Sequence, residues 1–202
     1  MTGTARPAGI PARTNVAAVI LAPLAAAGCL AVAARSGPVG IGAAAIGFAL
    51  VNHTTFALLH EAVHGVLHPD PTVNRWLGRW AAAWFPTSFT LQRALHHTHH
   101  RNNRARIEQF DYLHPGERRW LKRAQWYAIL TGVYWAFVPA LLVTVAVAPG
   151  VLRWRILREG AAADQTAASA FLAAVDEAPA VTRREAWASL GFHAATAAAF
   201  WA

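Results

Sequence analysis

Two long apolar runs dominate the first third of the chain, and the polar residues around them predict a helical hairpin. Val16 to Ala34 is almost wholly apolar over 19 residues, close to the roughly 20 needed to cross the hydrocarbon core of a bilayer. Pro23 and Gly28 lie inside it. A signal peptide is the rival reading, since Arg13 precedes the run and small residues follow it. The length of the run, with a second one following at once, favours a retained helix. Arg35-Ser36-Gly37-Pro38 predicts a tight turn, with Pro38 suited to the first turn of the next helix. Val39 to Leu59 is the second predicted span. Asn52 and His53 interrupt it, and polar groups at that depth are costly unless partnered. A buried histidine bonded to a neighbouring helix is the plain expectation for His53.

Further on the pattern is less regular. Trp76 to Phe89 mixes Trp76, Trp80, Trp84 and Phe85 with Arg79 and meets Pro86, as in an interfacial or re-entrant helix. Leu91 to Arg106 predicts a further helix outside the bilayer. Gln125 to Ala148 reads as a third span, with Pro139 inside it and Pro149-Gly150 after it. Gly160 to Asp176 is Ala-rich and predicts a helix. Thr182 with Glu185 three residues later fits a capping box, and Trp187 to Ala202 begins a fourth apolar helix. The expected fold is all-α: an integral-membrane helical bundle of about four spans with a cytoplasmic histidine-rich cap. Residues 1–15 form a disordered polar tail, and residues 16–202 one membrane domain. The last run, Ala194 to Ala202, has no cap and reads as a helix cut midway, so the domain is expected to be incomplete at its C-terminus.

Composition supports the membrane reading. Hydrophobic residues make up 55% of the 202 and charged residues 14%, against about 25% charged in soluble domains. Mean hydropathy is +0.29. The net charge is +8, and the basic residues sit beside apolar runs. That placement fits anionic lipid head groups and the positive-inside rule, not a nucleic-acid surface. Ten of the eighteen basic residues lie between His60 and Gln125, which puts this segment on the cytoplasmic side of a cell inner membrane. Arg153, Arg155, Arg158, Arg183 and Arg184 would then lie outside if residues 125–148 cross once, so the topology of residues 149–186 stays open. The single Cys29 excludes a disulfide framework and a thiolate metal site.

The candidate chemistry is histidine. Eight of the ten histidines fall between residues 53 and 100, and neutral imidazole is a common metal ligand. His60 and His64 are one helical turn apart, so both can reach one ion. His96, His99 and His100 share a second helical face at i, i+3 and i+4, while His97 points roughly 100° away from His96. His53 lies about 10 Å along the helix from His60, and His68 precedes Pro69. His53, His68 and His97 are therefore secondary candidates, for an additional metal contact or for support of the ligands. His68 is expected to support them, His97 to face solvent or the ligands' neighbours, and His53 to be a buried histidine bonded to another helix. Five imidazoles exceed what one tetrahedral zinc requires and suit two first-row ions. Glu61, Glu108 and Asp111 are candidates to orient ligand imidazoles.

The apolar hairpin, His60-x-x-x-His64 followed by Gly65, Asn74 and Gly78, then His96-x-x-His99-His100 and Asp111-Tyr112 resemble the integral-membrane fatty acid desaturase family. Its superfamily also contains carotenoid ketolases, hydroxylases and alkane monooxygenases. The resemblance implies a non-haem di-iron, O2-dependent enzyme that abstracts hydrogen from unactivated C–H bonds of a lipid acyl substrate. It implies a ferredoxin-, rubredoxin- or cytochrome b5-type electron donor. His60, His64, His96, His99 and His100 take the ligand roles, with no catalytic residue beyond them. The family's third box, His or Gln-x-x-His-His, has no counterpart, since only His114 and His193 follow His100. His193 is the candidate for an additional ligand. Truncation is the favoured explanation, ahead of completion by another subunit or an inactive relic. Two other activities stand as alternatives: hydroxylation or ketolation of a carotenoid or alkane, and a membrane zinc protease, since His60-Glu61-x-x-His64 fits the zincin pattern with Glu61 as general base.

Overall fold

The computed structural model describes residues 9–101, 103, 112–131, 133–155, 172, 176 and 179–201. Among these residues every regular element is helical. In chain order they are α1 (Ala12–Ala33), α2 (Pro38–His64), α3 (Pro71–Trp84), α4 (Phe89–Arg101), α5 (Arg119–Leu130), α6 (Phe137–Val147) and α7 (Pro179–Trp201). Two 3₁₀ turns, Val133–Ala136 and Pro149–Arg153, flank α6. The chain forms two compact units, residues 1–85 with 192–202, and residues 86–191.

In the first unit α1 and α2 form the predicted hairpin. At 22 and 27 residues they are about 33 Å and about 40 Å long, enough to cross a hydrocarbon core of about 30 Å. Only 17% and 11% of their most apolar stretches is buried inside the protein, which is not the pattern of core helices in a soluble domain. Ile20, Leu21, Leu24, Ile46 and Leu50 face outward. The hairpin closes with Gly37 before α2 and Pro38 in its first turn, as expected. The helix α1 begins earlier than the apolar run, and Asn15 in its first turn donates to the Leu67 carbonyl at 2.8 Å.

Pro23 lies inside α1. Lacking an N–H, it cannot serve the carbonyl of Val19 four residues before it. The indole N–H of Trp80 donates to that carbonyl instead, at 3.1 Å, and both Val19 and Pro23 are buried there. This bond ties α3 to α1. Close approach of the hairpin helices also needs Gly47, where an added Cβ would lie 3.3 Å from Cys29 Sγ.

In the second unit α4, α6, the Pro149–Arg153 turn and the start of α7 share a core. It is built from Leu91, Leu142, Val145, Ala146, Leu152, Leu172 and Ala186. The predicted third span is not one helix: α5 ends at Leu130 and α6 starts at Phe137, with the 3₁₀ turn between. Thr131 Oγ1 turns back to the Tyr127 carbonyl at 2.6 Å. Pro139 sits in the first turn of α6, where its ring would clash with the carbonyl four residues earlier if an α-helix ran through. Among the described residues α1 and α2 are thus the two helices long and apolar enough to span a membrane.

The helix α7 starts at Pro179, well before Trp187, and carries Arg183, Arg184 and Glu185 in its first two turns. Thr182 therefore lies inside the helix and does not cap it. The Ala-rich segment Gly160–Asp176 lies outside the described residues apart from Leu172 and Asp176.

Candidate metal centre

The first histidine pair sits in the last turn of α2. Gly65 ends that helix with φ +77, a left-handed conformation that glycine adopts without penalty. Its N–H bonds to Ala62 O and that of Val66 to Glu61 O, both at 3.0 Å, the pattern of a Schellman closure. One side chain holds this end from outside. Asn74, buried in α3, accepts from the Leu67 and His68 amides at 3.1 and 3.2 Å and donates to Ala62 O at 2.8 Å. All the hydrogen-bonding groups it engages belong to the segment that contains His64 or directly follows it. Sequence reading noticed Asn74 only as part of the resemblance; its spacing from Pro69-Asp70-Pro71 was the available signal for a turn-holding residue.

The rings of His60 and His64 lie edge to face, with centroids 4.6 Å apart, and their ligating nitrogens are within 4.8 Å of one another. Glu61 Oε1 is 3.4 Å from His60 Nδ1, a long contact that orients the ring weakly. Glu61 itself is exposed.

The second set also sits at a helix C-terminus. The helix α4 has 13 residues, with His99, His100 and Arg101 in its last turn. Leu91 and Leu95 pack into the core of the second unit, and at about 100° per residue His96 and His100 fall on the side away from them. The two Nε2 atoms are 2.9 Å apart, with ring centroids at 4.5 Å. Two nitrogens about 2.0–2.1 Å from one ion are separated by roughly 3 Å when they bind at right angles, so this spacing suits two ligands of one metal. His99 stands further off, its centroid 6.2 Å from His96 and 5.7 Å from His100. The carbonyl end of α4 carries partial negative charge, which favours a cation there.

The remaining candidates separate. His68 Nδ1 accepts the Asp70 amide at 3.0 Å, which makes it part of the turn before α3. Asp70 caps α3 by accepting from the Thr72 and Val73 amides at 2.7 and 2.9 Å, and these bonds hold its carboxyl below the usual value. His53 is exposed on α2, so the expected buried histidine is not found. Polar burial falls instead on Asn52, whose Oδ1 is buried without a partner among the described residues. His97 is half-buried. His193, in α7, has a buried Nε2 with no hydrogen-bond partner among the described residues, and its ring packs on Phe192 at 5.7 Å. Glu108 and Asp111 lie outside the described residues. Beyond the second set, Glu117 bonds the His114 amide at 2.8 Å and Lys122 at 3.2 Å, and the amide bond, followed by the Lys122 contact, holds its carboxyl low.

Each of the two helices thus carries a pair of imidazoles one turn apart, a donor chemistry able to take a first-row metal ion. Residues 34–202 match the family described as fatty acid desaturase, and the chain belongs to that family. No curated protein and no solved structure matches it.

Proposed function

We propose that the chain is a membrane-bound lipid oxidoreductase of desaturase type, in which His60, His64, His96, His99 and His100 hold two iron ions. The observation that carries this reading is the pairing of imidazoles one turn apart on two helices within a chain of the desaturase family. A bound iron pair of this kind supplies O2-dependent oxidation of unactivated C–H bonds.

The chain's own residues account for how such a centre would be held. Gly65 and Asn74 keep the end of α2 in one conformation, so His60 and His64 present their nitrogens without a search. The helix α2 is about 10 Å longer than a hydrocarbon core. If Pro38 lies at one interface, His60 and His64 project past the other, on the side where basic residues accumulate. We assign that side to the cytoplasm, where an electron-donor protein of ferredoxin, rubredoxin or cytochrome b5 type would dock. The lipid substrate would reach the centre from the bilayer. His193, with a buried and unpartnered nitrogen, is the candidate for a further ligand. Desaturation is the favoured outcome, and hydroxylation the alternative within the same chemistry. The zinc-protease reading loses ground because the chain belongs to the desaturase family and because that reading leaves His96, His99 and His100 without a role.

Metal analysis of the purified chain, with lipid profiling of an expressing host, tests the proposal. The expected result is bound iron that falls to background in His64→Ala and His96→Ala. One zinc with no iron would sink it. So would a lipid profile that does not change with either substitution while iron is retained.

A further inference from the structure

The helix that carries the second histidine set has no acid in its own first turn, yet its N-terminus is capped by a carboxylate. Glu185, from α7, places Oε2 2.8 Å from the Thr90 amide and 2.7 Å from Ser88 Oγ. The Ser88 hydroxyl donates to that carboxylate and accepts the Leu91 amide at 3.4 Å, while its carbonyl takes the Gln92 amide at 2.9 Å. Two donors that a helix start leaves unserved, Thr90 and Leu91, are thereby satisfied. A negative charge also meets the positive end of the helix dipole.

Two residues earlier on α7, Arg183 Nε donates to Ala146 O at 3.0 Å, near the C-terminal end of α6. One turn of α7 thus delivers a cation to the end of α6 and an anion to the start of α4. Each has the sign its target needs.

A 13-residue helix is marginal in isolation, so the geometry of His96 and His100 depends on what fixes α4 from outside. Core packing of Leu91 and Leu95 restrains its side; Glu185 fixes its start and register. We propose that Glu185 is a positioning residue for the second histidine set, acting through the start of α4. Its carboxylate holds the frame in which His96 and His100 share one ion. This rests on the reading of these histidines as metal ligands.

The test uses the full chain in detergent micelles, with amide hydrogen exchange across residues 89–101 and Co2+ binding as separate readouts. For Glu185→Ala, exchange from Thr90 to His100 should rise about tenfold, and Co2+ affinity should fall roughly 10-fold. Glu185→Gln keeps an oxygen for the Thr90 amide and should stay within about threefold of wild type on both readouts. Ser88→Ala removes one of the two contacts and should fall between them. Arg183→Ala loosens α7 from α6 without touching α4 and should leave exchange in residues 89–101 unchanged. Wild-type exchange in Glu185→Ala overturns the proposal whatever the metal does. An equal rise in Arg183→Ala overturns it too, because the effect would then belong to α7 packing in general. If the exchange pattern holds but the wild-type chain binds no Co2+, the metal reading fails and the positioning role falls with it.

Discussion

The helix α2 brings its histidines to the end of a 27-residue span, whereas α4 carries its own on 13 residues. On α2 the pair lies at the helix C-terminus, and the restraints lie beside it: the left-handed Gly65 and the three hydrogen bonds of Asn74. All of them come from within a dozen residues of sequence. On α4 the pair also lies near the C-terminus, but the polar restraint acts at the opposite end and comes from Glu185, 95 residues away from Thr90. The first arrangement is local and forms with its own turn. The second depends on a residue of α7.

The comparison can be broken most severely at Asn74. Asn74→Ala leaves two amides and one carbonyl around Ala62, Leu67 and His68 without their partner, at about 1–3 kcal/mol for each group that stays dry. We expect a loss of several times that of an ordinary surface substitution, read by denaturant unfolding in micelles. Hydrogen exchange should rise at residues 62–68 and not across α4. A rise of equal size in α4 would mean that the two histidine sets are not restrained independently.

A smaller effect sharpens the account of the hairpin. Trp80→Phe removes the donor to Val19 O and should cost about 1–3 kcal/mol. Pro23→Ala returns an N–H to that carbonyl, so the double variant should recover about 1 kcal/mol relative to additivity. Strict additivity would show that the indole bond does not compensate for the proline.

The smallest expected effect is with pH. Asp70 has its carboxyl pKa depressed below 3.8 by the Val73 and Thr72 amides. A depressed carboxylate contributes stability that is present above its unfolded value and lost as pH falls through its folded value. The start of α3, followed by amide chemical shifts of Thr72 and Val73 between about pH 5 and about pH 2, should loosen only below 3.8. Asp70→Asn should remain capped with no such transition. A transition of the same size in Asp70→Asn would overturn this account.

Much of this molecule follows from local pattern. The hairpin, the Pro38 start of α2, the i, i+4 pairing of His60 with His64 and of His96 with His100, and the family itself were legible. Each depends on periodicity and spacing within one helix, which the order of residues fixes. Other features were not legible because their cause lies in residues distant along the chain. The third apolar run is an exception with a local cause, since Pro139 inside it marks where α5 and α6 separate. Thr182 and Glu185 matched a capping box by spacing, yet the start of α7 at Pro179 places Thr182 inside the helix. That leaves the Glu185 carboxylate to serve α4 instead. Pro23 was visible inside the first apolar run, but nothing near it in sequence says that the indole of Trp80 serves the Val19 carbonyl it leaves without a donor. A sequence specifies which backbone groups a helix end or a proline will orphan; only the folded chain decides which distant side chain satisfies them, because a buried polar group takes the partner that packing brings within reach.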